Sequence, residues 1–306
     1  MALYMLRRIL QGVIVVVAVT VVVFFVTRMI HDPVDVMVPI DVDPVERARV
    51  AHDLGFDKPI FAQFVDYVGG VVRGDFGESY WQSRPALEIV MEKLPNTIKL
   101  TIVGMTVALV LSIPMGIIAS LRPNSFVDRS TSAASLVGLS APQFWVGLLF
   151  ILLFSVNLGW LPTGGKGGLK HMIMPALTIG LPTAGRLAML MRSTMIDELN
   201  RPWVKVARAK GMPFRRVVGM HALRNASLPV ITLGGWEFIR MLAGATNIVE
   251  VVFAWPGVGL LALQAVQRSD LLLLQAIVLV VATITVVLNI VIDISYKFVD
   301  PRITLV

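Results

Sequence analysis

Between Arg8 and Arg28 the chain reads ILQGVIVVVAVTVVVFFVT, residues 9–27, without one charged side chain. Crossing about 30 Å of hydrocarbon takes roughly 20 apolar helical residues, so this stretch has the length and composition of a membrane-spanning helix. Arg7 and Arg8 precede it as basic residues precede a secretory leader. The apolar run is too long for a leader's core, however, and Thr27-Arg28-Met29-Ile30-His31 offers no small-residue cleavage pattern. It is read as a span that stays in the protein. Two further stretches, Leu100 to Leu121 and Leu271 to Ile292, are equally free of charge.

The whole chain agrees with this reading. Of its 306 residues 56% are apolar and 15% charged, with a mean hydropathy of +0.77, whereas a soluble domain carries roughly 25% charged residues. There is no cysteine, which excludes disulfides, thiolate metal sites and a cysteine nucleophile. Three less uniform spans complete the set. One covers about 131–157, ending where Leu158-Gly159-Trp160-Leu161-Pro162 brings turn residues and an interfacial Trp. The next runs from His171 to about Met191 and is interrupted by Arg186. The last runs from Leu228 to Val249 and is interrupted by Glu237 and Arg240. The expected fold is therefore an all-α polytopic membrane protein with six transmembrane helices.

Charge placement orients it. The segment 193–228 holds seven basic residues, Arg201, Lys205, Arg208, Lys210, Arg215, Arg216 and Arg224, against Asp197 and Glu198. The segment 31–95 holds six basic residues against twelve acidic ones. Basic loops stay in the cytoplasm, so 193–228 and both termini are expected inside and 31–95 outside. The formal net charge of +7 is thereby a topology signal, and no nucleic-acid partner is needed to explain it. The chain divides into 1–30 with the first span, an extracytoplasmic subdomain 31–95, and a core 96–306.

Both segments outside the bilayer should fold. In 31–95, Asp43-Pro44-Val45-Glu46 has the form of a capped helix start and Gly55 its end; a second helix around 59–72 stops at Gly74-Asp75-Phe76-Gly77. It is either a cap over the first spans or a surface for a delivering partner. In 193–228 a helix from about Asp197 should end at Gly211, a residue free to adopt a left-handed conformation, with Pro213 opening another. The resulting helix-turn-helix elbow exposes Met212 and Phe214. A basic elbow of this kind serves topology, rests on anionic membrane lipid, or inserts into a protein groove.

Catalytic machinery is missing. The chain has no phosphate-binding loop of the Gly-x-x-x-x-Gly-Lys-Ser/Thr form, no Gly-x-Ser-x-Gly elbow, and no metal-ligand spacing among His31, His52, His171 and His221. Gly164-Gly165-Lys166-Gly167-Gly168 is read as a flexible external turn. Ionisable residues inside spans are functional candidates by default. Glu237 and Arg240, three apart on one helical face, could neutralise one another as a structural pair at a subunit interface or line a path, with Asn247 further along the same span. Asn289 and Asp293 are read as interfacial anchors. Pro175 and Pro182 lie one heptad apart and mark one side of their span, among Gly180, Thr183, Ala184 and Gly185. That mixture suits close packing or a moving gate.

The motifs Arg73-Gly74-Asp75-Phe76-Gly77, Ala207-Arg208-Ala209-Lys210-Gly211, His221-Ala222-Leu223-Arg224-Asn225 with Leu228-Pro229, Phe253-Ala254-Trp255-Pro256-Gly257-Val258-Gly259 and Asp300-Pro301-Arg302 occur in this order. Together they make the chain resemble the B-type permease subunits of the peptide and nickel branch of ATP-binding-cassette importers, over essentially its whole length. The resemblance implies the type I importer permease fold. It also implies that the elbow is the EAA loop, which couples a permease to its ATPase, with Ala207, Arg208, Lys210, Gly211, Met212, Pro213 and Phe214 at the coupling turn. Lys205 stands where the general pattern has Glu, and His31-Asp32-Pro33 where this branch usually opens Gly-Asp-Pro. The implied partners are a second permease, two ATPase subunits and an extracytoplasmic binding protein. The implied function is peptide uptake by a non-enzymatic subunit of the cell membrane that holds no cofactor, ATP and Mg belonging to the ATPases. Alternatives are a glutathione or nickel-chelate importer of the same family and, in another class, a self-sufficient ion-coupled carrier or channel.

Overall fold

The structure is a computed structural model of the chain and describes residues 2–30, 43–53 and 57–299. Gly55, His31-Asp32-Pro33 and Asp300-Pro301-Arg302 lie outside the described residues. In chain order the helices are α1 Ala2–Ile30, α2 Pro44–Asp53, α3 Ile60–Val72, α4 Ala86–Leu121, α5 Phe126–Ser140, α6 Gln143–Phe150, α7 Lys170–Leu199, α8 Pro202–Ala209, α9 Phe214–Arg216, α10 Leu223–Arg240, α11 Thr246–Val252, α12 Val258–Gln267 and α13 Leu271–Val299. Wider π-helical turns continue α6 at Ile151–Asn157, join α9 to α10 at Val217–Ala222, and join α10 to α11 at Met241–Ala245. No strand occurs among the described residues.

Among the described residues four helices are long and apolar enough to cross a membrane, and five if α5 and α6 count as one broken crossing. The expected span over 131–157 contains that break, a bend of 103°. Pro142 lacks an N–H and forces Ala141 into an extended conformation (φ −75°, ψ 128°), which ends α5. The stretch 228–249 is helical but does not qualify as a crossing. Arg224, Glu237 and Arg240 all fall within the 18 residues of α10, and a π-helical turn follows. Pro175 and Pro182 sit on the buried side of an unbroken α7.

The chain forms two compact units, Met1–Thr97 with Pro256–Ile290, and Ile98–Trp255 with Val291–Val306. In the first, Phe24 of α1 is fully buried, with ring centroids 5.3 Å from Phe64 and 5.4 Å from Tyr67 on α3. At Gly12 an added Cβ would come within 2.6 Å of Val286 on α13, so the glycine permits that helix crossing. The segment before α4 is tied down by Asp270, a wholly buried carboxylate. It accepts from the Ser79 hydroxyl at 2.5 Å and the Trp81 N–H at 3.1 Å and caps α13 through the Leu273 N–H at 3.1 Å. Burial pushes the Tyr80 phenol in this segment up to about 12.

In the second unit α7 is central. A Cβ at Gly116 of α4 would lie 2.8 Å from the Ala188 carbonyl oxygen. One at Gly185 of α7 would lie 2.7 Å from that of Ser135 in α5. These glycines let three backbones approach closely, the device that replaces hydrophobic collapse where lipid is as apolar as the core. The 164–168 turn is not the loose loop that its glycines suggest. A Cβ at Gly164 would stand 2.2 Å from the Phe253 carbonyl oxygen, and the Gly165 N–H donates to that oxygen at 2.8 Å.

Candidate functional site

Both candidate sites lie in the second unit. The first is the elbow. Helix α7 runs on to Leu199, so the elbow helix begins at Pro202 rather than near Asp197; proline at its first turn costs no hydrogen bond. Its end is specified locally. The Gly211 N–H donates to the Arg208 carbonyl at 2.9 Å and the Met212 N–H to the Ala207 carbonyl at 3.1 Å, the paired closure of a Schellman motif. Gly211 has φ +81°, and a Cβ there would meet nothing within 4 Å. Backbone conformation, not space, is what requires glycine. Pro213, in extended conformation, then starts α9.

The elbow presents Arg208, Lys210, Gly211, Pro213 and Phe214 at the surface, with Ala207 half-buried. Met212 is half-buried too, not fully exposed as expected. The Arg208 guanidinium lies 5.6 Å from the centre of the Phe214 ring, a cation–π contact that bridges the turn. At its root the elbow is apolar. Trp203 and Val218 pack against a buried cluster of Leu187, Met191 and Met195 of α7 with Ala226 and Val230 of α10. Glu198 pairs with Arg201 at 2.9 Å and accepts from the Asn225 amide at 3.1 Å. The elbow's root is thus packed on α7 and α10.

The second site is a polar cluster on those two helices. Glu237 and Arg240 are paired at 2.7 Å as their spacing predicts. Sequence reasoning missed their third member, for Arg186 of α7 had been read only as an interruption. Its Nε lies 2.6 Å from Glu237 Oε1 and its Nη2 donates to Oε2 at 2.8 Å. The Thr183 hydroxyl donates to Oε2 at 3.1 Å, and Arg240 Nε to the same oxygen at 3.0 Å. One carboxylate, 6% exposed, thus holds two guanidiniums that are 28% and 47% exposed. Just beyond Arg240 the chain enters the π-helical turn, a departure that is frequent at functional sites. Asn247 is exposed on α11, and among the described residues no hydrogen bond joins it to this cluster.

A second buried ion pair also went unforeseen. Asp128 meets Arg192 through both carboxylate oxygens and accepts from the Asn124 N–H at 2.7 Å. Ser125-x-x-Asp128 is a capping-box pattern that signals the start of α5, and nothing in it points to Arg192.

Several apolar crossings, a charged cluster at membrane depth and a basic helical elbow define a multi-pass integral membrane protein organised around its interior helices. Residues 112–305 match the model of the binding-protein-dependent transport system inner membrane component, and residues 1–101 that of the N-terminal part of such a membrane component. The chain belongs to this family and is a membrane transport component. It is 36% identical to the oligopeptide transport system permease protein AppB of Bacillus subtilis (strain 168), over 99% of both chains. It is also 36% identical to the di/tripeptide transport system permease protein DppB of Pseudomonas aeruginosa (strain UCBPP-PA14), over 93% of this chain and 94% of that one. The glutathione transport system permease protein GsiC of Escherichia coli (strain K12) is 36% identical over 98% of each. Among solved structures, an amino acid ABC transporter with histidines matches with a TM-score of 0.56 at 17% identity, covering 69% of this chain and 94% of that one. An inward-facing form of the MetNI methionine ABC transporter matches at 0.54 and 17%, covering 69% and 96%. These two likenesses concern the fold.

Proposed function

We propose that this chain is one of two permease subunits of an ATP-binding-cassette importer that takes up di- or oligopeptides. Its termini and the elbow 193–228 face the cytoplasm. The segment 31–95 is an extracytoplasmic subdomain that receives a substrate-binding protein, and six crossings are reached when 131–157 and 228–249 each count as one. The chain itself binds no cofactor. Two separate ATPase subunits hold ATP and Mg, and their closure moves the elbow, whose displacement rocks the permeases between outward and inward access.

The observation that carries this reading is the elbow's build. A tightly closed turn exposes Gly211 and Phe214, while its root packs into α7 and α10. A surface held so firmly to the interior helices is suited to transmit force from a docked partner. Ala207, Arg208, Lys210, Gly211, Met212, Pro213 and Phe214 are assigned to that contact, and Glu237 and Arg240 to the translocation path. Gly211→Leu places a side chain at φ +81° and should leave ATP hydrolysis running while solute uptake in reconstituted vesicles collapses. Normal coupled uptake by that variant would remove the elbow from the coupling role. Glutathione is the second reading, favoured by the relative of that name. Titrating the partner binding protein with peptides and with glutathione separates the two.

A further inference from the structure

The Glu237 cluster does not balance. Arginine stays protonated in any protein environment, so Arg186 and Arg240 bring two positive charges to a single carboxylate. The carboxylate of Glu237 is also crowded with donors. Its Oε2 accepts from Arg186 Nη2, Arg240 Nε, Arg240 Nη2 and Thr183 Oγ1, and Oε1 faces Arg186 Nε. What is left over is specific. Arg240 spends its Nε and Nη2 and Arg186 its Nη2 on hydrogen bonds, Arg186 Nε is in ion-pair contact only, and among the described residues neither Nη1 amino group has a partner.

These spare donors are held in place, because both guanidiniums are bonded to the same carboxylate oxygen. Their side chains are partly exposed, Arg186 28% and Arg240 47%. Arg186 sits about halfway along α7, a helix with the length and apolarity of a crossing. A bare guanidinium facing lipid at that depth is strongly unfavourable, so the open side of the cluster faces a water-filled path, an anion or a neighbouring subunit, and the test below separates the last from the first two. Beside Arg240, one helical turn on, a Cβ at Gly244 would meet nothing within 4 Å, which leaves room for a guest.

We infer that the free amino groups of Arg186 and Arg240 form an anion-selective station in the translocation path, taking a carboxylate of the solute as it passes. The inference rests on the peptide-import reading, under which the C-terminal carboxylate is the anionic group common to every solute. Glu237 acts as the positioning residue: it holds both forks, lowers the net charge to a single surplus, and so keeps the station weak enough to release. Fork-shaped donors suit a planar carboxylate, and charge-assisted bonds of this type discriminate by roughly tenfold to a hundredfold.

The test uses the assembled importer, with its sister permease, ATPases and binding protein, in liposomes. Uptake is measured for labelled di-, tri- and penta-alanine and for their C-terminal amides, all at concentrations that saturate the binding protein. Arg240→Gln should reduce uptake of the free acids about tenfold relative to that of any transported amide, with complex yield near wild type. Arg240→Lys, which keeps the charge but loses the fork, should fall between. Equal loss of acid and amide uptake, or a complex that no longer co-purifies with its sister permease, assigns Arg240 to structure or subunit contact and overturns the inference. Unchanged acid uptake overturns it as well. A wild-type importer that takes up none of these peptides overturns the peptide-import reading, and the inference with it; equal loss, a lost complex or unchanged acid uptake, seen while the wild type takes up peptides, overturns the inference alone.

Discussion

Helices α1 and α7 both qualify as membrane crossings and could hardly be built more differently. The most apolar stretch of α1 is 17% buried within the protein, that of α7 67%. Helix α1 is a near-continuous run of Val, Ile and Phe; α7 carries Pro175, Gly180, Pro182, Thr183, Gly185, Arg186 and Arg192. In water the most apolar helix would be the core. In a membrane the most apolar helix is the one that lipid can solvate, and polar or small residues mark the helix that protein surrounds.

The largest test of this contrast attacks the small-residue contact. Gly116→Leu drives a side chain toward the Ala188 carbonyl oxygen, 2.8 Å from an added Cβ, which cannot give way without moving α7. A loss of about 3 kcal/mol is expected, read as failure to recover folded complex in detergent gel filtration. Next comes Glu237→Gln, which strands two guanidiniums on one neutral amide. Breaking a buried pair costs about 3–5 kcal/mol, and the partial exposure of Arg186 and Arg240 brings the expectation to about 2–3; thermal unfolding of the purified complex measures it, and the loss should exceed that of Arg240→Gln. Asp128→Asn should cost about 2 kcal/mol on the same reasoning, with Arg192→Met in the same chain recovering part of it in a double-mutant cycle. At the other extreme, Val22→Leu on the exposed side of α1 should shift stability by less than about 0.5 kcal/mol. A Val22 effect as large as that of Gly116 would show that α1 is covered by protein after all.

The parts of the fold that could be read ahead of the structure are those governed by local rules. Charge-free length located α1, α4 and α13. Gly211 and Pro213 announced the elbow's turn, because a left-handed backbone and a missing N–H are properties of single residues. At the candidate site only the Glu237–Arg240 pair was legible, since three residues along one helix is a local spacing. Arg186 was not, being 51 positions from its partner, and neither was Asp128 with Arg192, 64 apart. The 131–157 span shows an intermediate case. Pro142 is visible as a breaker, but a proline inside a helix either passes unbroken, as Pro175 and Pro182 do in α7, or turns the chain by 103° as here, depending on what packs around it.

Residue order alone places this chain in a membrane, locates its charge-free apolar stretches and specifies how its elbow closes, for each follows from transfer energy or backbone geometry over a few residues. Which helix is the buried one, and that two arginines from different helices share one carboxylate, are set by three-dimensional packing. That sharing rests on side chains brought together by the apolar packing of α7 against α10, and no spacing along the chain encodes it. Scarce charge in a membrane protein is informative as a flag, but its pairing, and the single positive charge left over, exist only in three dimensions.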